Sequence, residues 1–255
     1  MSGQDLALSR PAFAGCMRVP MKKLTLLLSA ALLAVSPVAA FTAGATNPAA
    51  TPVPRNDWIA RHEGFVERAR QGDVDVLFIG DSITDAWRRT GKAIWDERYE
   101  PLKAANFGIS GDKTEHLLWR LQNGELDGIA PKLAVLMIGT NNSGRDTAPQ
   151  IAEGVRAILD EIHQRSPKTK ILLLGVFPRG EQPDHPLRLK VAEVTKLIAK
   201  FDDGRRVFFL DIGDKFLRPD GVLPASIMPD FLHPNEEGYR IWAEAMDAKF
   251  RELLR

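Results

Sequence analysis

The chain has 255 residues, 44% hydrophobic and 26% charged, which suits one substantial globular domain. Its formal net charge of +1, without long acidic or basic runs, offers no field for nucleic acid or an anionic membrane surface. The single cysteine, Cys16, rules out an internal disulfide and a multi-cysteine zinc site.

In chain order, the first segment differs from the rest. Lys22-Lys23 precede an apolar stretch from Leu24 to Val35 that is too short to span a bilayer as a helix. Val38-Ala39-Ala40 then gives the small-residue pattern of a signal-peptidase site. Residues 1–40 therefore read as a secretory signal with an effective start at Met21. The mature protein is expected to be periplasmic or secreted, with no stable membrane span after cleavage. The competing reading is an uncleaved anchor, which the short run disfavours. Residues 41–56, rich in Ala, Thr and Pro, read as a flexible linker, and residues 57–255 as the folded domain.

From Asp57 onward, strand and helix signals alternate. Short apolar runs at 74–79, 133–138, 171–176 and 207–210, with a weaker one at 104–107, suit buried parallel strands. Between them Ile151, Val155, Ile158, Leu159 and Ile162 hold one face of a helix, and Pro149 suits its first turn. Val191, Val194, Ile198 and Phe201 mark a second helix; Tyr239, Trp242, Met246, Phe250 and Leu253 mark the last. This alternation predicts an α/β protein with helices on both faces of a parallel sheet. Ligands of such sheets bind at the carboxyl ends of the strands, so functional residues should follow the apolar runs.

They do. Gly80-Asp81-Ser82, Gly108-Ile109-Ser110-Gly111-Asp112 and Gly139-Thr140-Asn141-Asn142 follow three runs, and Asp230-Phe231-Leu232-His233 precedes the last helix. Acyl transfer needs a hydroxyl nucleophile, a base, a group that orients the base and donors for an oxyanion. Ser82 fits the nucleophile, His233 the base and Asp230 its partner. The backbone N–H groups of Ser82 and Gly111 and the amide of Asn141 fit the donors. Each position also has a plainer reading: a helix cap for Ser82, a surface residue for His233, a loop acid for Asp230, a tight turn for Gly111, and an Asx turn for Asn141 or Asn142. Asp81 is expected to hold the turn. His62, His116, His163 and His185 lack metal-ligand spacing and default to packed or surface residues. The segment Gly108–Thr114 fails the phosphate-loop pattern, because Asp112 intervenes before Lys113. Ile83 and Leu232, flanking the nucleophile and the base, are expected to wall a small acyl pocket.

The four blocks resemble those of the GDSL, or SGNH, hydrolase family, whose name lists the serine, glycine, asparagine and histidine found here at Ser82, Gly111, Asn141 and His233. The resemblance runs from about residue 74 to 245. The stretches NFGISGDKTEHLLWRLQNGEL, GTNN, GVFPRGE and DFLHP are similar to the branch that holds the catalytic subunits of platelet-activating-factor acetylhydrolase IB. It implies a flavodoxin-like three-layer α/β/α sandwich with about five parallel strands. It further implies hydrolysis of short acyl esters of a carbohydrate or lipid through a Ser-His-Asp triad and an acyl-enzyme, with no metal or organic cofactor. The resembling subunits dimerise, which makes a homodimer one state to test. The export signal departs from that intracellular branch, so its physiological substrate is not carried over. The alternatives are a lysophospholipase or thioesterase of the same family, or an exported binding module without turnover.

Overall fold

Both faces of the apolar runs are covered, which is why the runs read as continuous rather than alternating. The computed structural model describes residues 46–255; the expected signal segment lies outside them. Five strands form: β1 (Val76–Gly80), β2 (Ala104–Gly108), β3 (Leu133–Met137), β4 (Lys170–Leu174) and β5 (Val207–Leu210). Seven helices accompany them: α1 (Ile59–Arg70), α2 (Ser82–Asp85), α3 (Lys92–Arg98), α4 (Thr114–Arg120), α5 (Ala148–Arg165), α6 (Pro186–Ile198) and α7 (Glu236–Leu254). The strand bounds fall within two residues of those the sequence predicts.

All strand pairs are parallel, in the order β2-β1-β3-β4-β5. After β1 the chain goes to one side for β2 and returns to the other for β3. That reversal opens a crevice at the carboxyl ends of these strands. The register sharpens it, because Gly80 pairs with Gly108 on one side and with Met137 on the other. The three loops that follow therefore leave the sheet at the same height.

Strand residues sort by parity into two cores. Leu77, Ile79, Leu136, Ile171 and Leu173 face Ile151, Val155 and Ile158 of α5 and Val191 and Val194 of α6. Phe78, Val135, Met137, Leu172 and Leu174 face Trp87, Tyr99 and the α7 residues Tyr239, Trp242, Met246 and Phe250. The result is the expected three-layer α/β/α sandwich. The face predicted for each of the three long helices is the buried one.

One boundary differs from expectation. Residues 46–56 form part of the domain. The Asn47 amide donates to the Gln150 carbonyl (3.0 Å) and to Glu153 Oε2 (2.7 Å) on α5. Ala49 is fully buried, and its carbonyl accepts from the Thr114 hydroxyl at 2.7 Å. The approach depends on Gly154, where a Cβ would sit 2.3 Å from the Ala49 oxygen. A stretch of Ala and Pro looks coreless by composition, yet small residues are what this shallow site admits.

Candidate active site

The nucleophile block begins where β1 ends. Asp81 leaves the helical region of backbone space, and its Oδ1 accepts the Ile83 N–H at 3.0 Å, capping α2. The cap is Asp81, so the Ser82 hydroxyl is free of that duty. As the first residue of the helix, Ser82 also has a backbone N–H with no partner one turn back. Asp81 is fully buried, and burial pushes its carboxyl up to about 7. Its Oδ2 has no hydrogen-bond partner among the described residues.

Ser82 Oγ lies 2.9 Å from His233 Nε2, a contact across 151 residues of chain. On the other side of the ring, His233 Nδ1 lies 2.6 Å from Asp230 Oδ2. An ionised carboxylate can only accept, so Nδ1 carries the proton and Nε2 of the neutral ring presents its lone pair to Ser82. Asp230 Oδ1 accepts the N–H groups of His233 (2.7 Å) and Leu232 (3.1 Å), which wraps the loop around the carboxylate. Burial opposes ionisation of Asp230, but the ring and backbone donors outweigh it and hold the carboxyl below the usual range. Between acid and base, Phe231 takes φ of 57°, a left-handed conformation uncommon for a bulky residue. Two bonds hold it there: its N–H donates to the Met228 carbonyl and its carbonyl accepts from the Gly180 N–H, both at 2.8 Å.

The other two blocks meet Ser82 from the far side of the crevice. Gly111 has φ of 81°, open to glycine, and a Cβ there would stand 3.1 Å from Arg55 Nη1. Asn141 sits in the one-turn helix Thr140–Asn142, and its Nδ2 donates to the Asp112 carbonyl at 2.9 Å. One amide hydrogen is used there, leaving the second for a ligand. The neighbouring asparagine has another task. Asn142 is fully buried, accepting the Thr114 N–H and donating to Thr114 Oγ1, Glu115 and Asp146. Two adjacent asparagines that the sequence could not tell apart are thus a cleft residue and a cross-brace.

Ser82, Gly111, Asn141 and His233 line one open cleft of about 490 Å³, with Ala86, Arg89, Thr90, Ser110, Leu232 and Pro234 completing its walls. Leu232 lines this cleft. Ile83, expected on the same wall, does not. It is 1% exposed and packs in the core with Trp87 and Tyr239. The next residue on a helix points about 100° away, which turns Ile83 inward when Ser82 faces the cleft. Ala86, one turn on from Ser82, occupies the wall instead.

Sequence reasoning missed the buried charges behind these loops. Asp112 binds Arg120 (2.8 Å) and Arg55 (3.2 Å), and Arg120 also pairs with Glu125, which in turn meets His62. Asp85 gathers Arg61, Arg88, Arg89 and the Ser110 hydroxyl. Arg179 donates to the Thr140 carbonyl at 2.9 Å. The remaining histidines behave as packed residues: burial lowers His116 to about 4, and its Nδ1 accepts the Lys113 N–H. Among the described residues no group of three or more His, Cys, Asp or Glu is placed to hold a metal ion, and no helix is long and apolar enough to cross a membrane.

A serine hydroxyl bonded to a histidine that is itself bonded to a carboxylate, beside a glycine and an asparagine on one cleft, is an arrangement that can serve acyl transfer. Comparisons with known proteins agree. Residues 78–241 match the GDSL-like lipase/acylhydrolase family model, which covers more than half of the chain. Subunit alpha2 of platelet-activating factor acetylhydrolase IB from Rattus norvegicus is 43% identical over 218 residues, covering 83% of this chain and 93% of that protein. Subunit alpha1 from Homo sapiens is 39% identical over the same length and coverage. In fold, the acetylxylan esterase of Geobacillus stearothermophilus is similar with a TM-score of 0.56 at 22% identity, covering 70% of this chain and 93% of that one. The chain belongs to the GDSL-like lipase/acylhydrolase family and is a hydrolase acting on ester bonds.

Proposed function

We propose that this chain is a serine esterase that removes acetyl or another short acyl group from a carbohydrate or lipid alcohol, by way of an acyl-enzyme. The observation that carries the reading is the continuous hydrogen-bonded line from Ser82 Oγ through the His233 ring to Asp230. As Ser82 Oγ attacks the ester carbonyl, its proton passes to His233 Nε2, and Asp230 stabilises the imidazolium that forms. The developing oxyanion is met by the N–H groups of Ser82 and Gly111 and by the free amide hydrogen of Asn141. His233 then returns the proton to the departing alcohol, leaving the acyl group on Ser82. Water activated by the same ring releases the acid and restores the serine.

Short chains are favoured by the walls of the cleft. Beside the nucleophile stand Ala86, Arg89 and Thr90, and the apolar side chains on the walls are Ala86, Leu232 and Pro234. Three side chains offer few contacts to set against the ordering of a long acyl chain. The relatives' names fit an acetyl group on either a lipid or a sugar. With Lys22 to Ala40 read as an export signal, the substrate is met in the periplasm or outside the cell.

A fluorophosphonate probe tests the mechanism: it should label the wild-type protein at Ser82 and leave Ser82→Ala unlabelled. A folded wild type that takes no label would sink the reading. A series of p-nitrophenyl esters tests the chain length. Turnover should fall from acetate to octanoate, and a rise would point to the lysophospholipase or thioesterase alternative.

A further inference from the structure

Asn141 is held in place from behind by a residue that stands outside the four sequence blocks. Arg179 lies in the loop after β4, partly buried, with Nη1 donating to the Thr140 carbonyl (2.9 Å), the Thr140 hydroxyl (3.2 Å) and the Ser143 hydroxyl (3.2 Å). These atoms bracket Asn141 on both sides. The next residue reaches the other half of the site, because the Gly180 N–H donates to the Phe231 carbonyl at 2.8 Å. That bond helps hold Phe231 in its left-handed conformation between Asp230 and His233. The loop itself is clamped by the guanidinium of Arg188, 7% exposed, which donates to the carbonyls of Arg179 (3.0 Å), Gly180, Glu181 (3.2 Å) and, across the surface, Gly221 (3.1 Å).

We propose that Arg179 is a positioning residue that sets the angle at which Asn141 meets the oxyanion, and that its loop couples this donor to the turn carrying Asp230 and His233. The inference rests on the reading of Asn141 as an oxyanion donor. The Thr140–Asn142 turn starts at Gly139, whose φ of 120° gives the preceding chain no helical support. Its Thr140 carbonyl would otherwise be directed by Ser143 alone. The Nη1 nitrogen, held in the plane of its guanidinium, aims its hydrogens in fixed directions and so holds that carbonyl in one orientation, which a freely rotating ammonium does less well. An error of about 1 Å in a catalytic donor costs on the order of a hundredfold in rate.

The measurement is a double-mutant cycle on kcat with p-nitrophenyl acetate, using Arg179→Met, Asn141→Ala and the double variant, with Arg179→Lys alongside. Arg179→Met should lower kcat by about tenfold or more, with KM within about threefold of wild type. In the Asn141→Ala background the same change should have almost no further effect, since the residue it positions is gone. If Arg179→Met fails to fold, the cycle is run with Arg179→Lys, for which a smaller but equally non-additive loss is expected. Full additivity of the two losses, or a kcat within twofold of wild type for the arginine variants, overturns the inference. If Asn141→Ala itself leaves kcat unchanged, the donor role proposed above fails, which is a separate result.

Discussion

The Ser110 hydroxyl donates to Asp85 Oδ2 at 2.8 Å, joining the end of the helix that starts at Ser82 to the loop that carries Gly111. The two backbone donors proposed for the oxyanion, at Ser82 and Gly111, thus share one buried carboxylate as their common fixture. Asp85 is 1% exposed and also binds Arg61 at 2.6 Å and Arg88 and Arg89. Asp85→Ala should leave the Ser110 hydroxyl and the partly buried guanidinium groups of Arg61 and Arg88 without their acceptor and cost about 1–3 kcal/mol of stability in urea unfolding. The stable fraction of the variant should show a kcat deficit larger than any change in KM.

The two asparagines should separate cleanly. Asn141→Ala is expected to lower kcat by about 10²- to 10³-fold while leaving the melting temperature nearly unchanged. Asn142→Ala removes a fully buried amide that serves Thr114, Glu115 and Asp146, so it should destabilise by about 1–3 kcal/mol or more. Thermal melts beside steady-state kinetics distinguish the two, and equal melting losses for both would contradict the assignment.

Within the proposed triad the losses should be unequal. His233→Ala is expected to cost on the order of 10⁶ in kcat, and Asp230→Ala about 10⁴. Asp230 is largely exposed, yet it fixes the loop through the Leu232 and His233 N–H groups as well as the ring. Asp230→Asn keeps an acceptor for those backbone donors, so it should retain the fold of the loop while losing the stabilisation of the imidazolium. Crystal structures of the two Asp230 variants would show whether Phe231 keeps its positive φ only in the second.

Asp81 predicts a pH dependence of stability. Its carboxyl is pushed up to about 7 in the folded protein by burial, from an ordinary value of 3.8. Below 3.8 both states hold the proton, and above about 7 both have released it. Between these limits the folded state alone is protonated, so this group makes stability fall as pH rises from about 4 to about 7. Asp81→Asn keeps the oxygen that accepts the Ile83 N–H and cannot titrate. The variant should therefore lose less stability than wild type between about pH 4 and pH 7, by a few kcal/mol at most. Urea midpoints measured across that range give the slope directly, and parallel slopes would refute the assignment.

The parts of this molecule that could be read from sequence are those whose physics is local. Runs such as Val76 to Ile79 declare themselves because a strand covered on both faces must be apolar throughout. Gly80-Asp81-Ser82 and Asp230 to His233 are legible because cap, turn and reacting group lie within a few residues. Arg55, Arg120 and Arg179 were invisible, since an arginine in sequence defaults to the surface and only tertiary contact shows which carboxylate or carbonyl it meets. Ile83 was misplaced for a related reason: adjacency to Ser82 along the chain is not adjacency on the wall of a cleft.

The docked segment from Asn47 to Arg55 also orders events during folding. Its anchors on α5 lie 103 and 106 residues further along the chain, and Arg55 reaches the Ser110 carbonyl across 55. Chain made from the amino end must hold Asn47 without its α5 partners until α5 has been synthesised, whereas Arg55 can meet Ser110 before α5 is made. Long loops close at an entropic cost that local helices avoid. The Gly111 loop can thus be braced by Arg55 before the amino end of the segment docks, and Asn47 is among the last residues to settle.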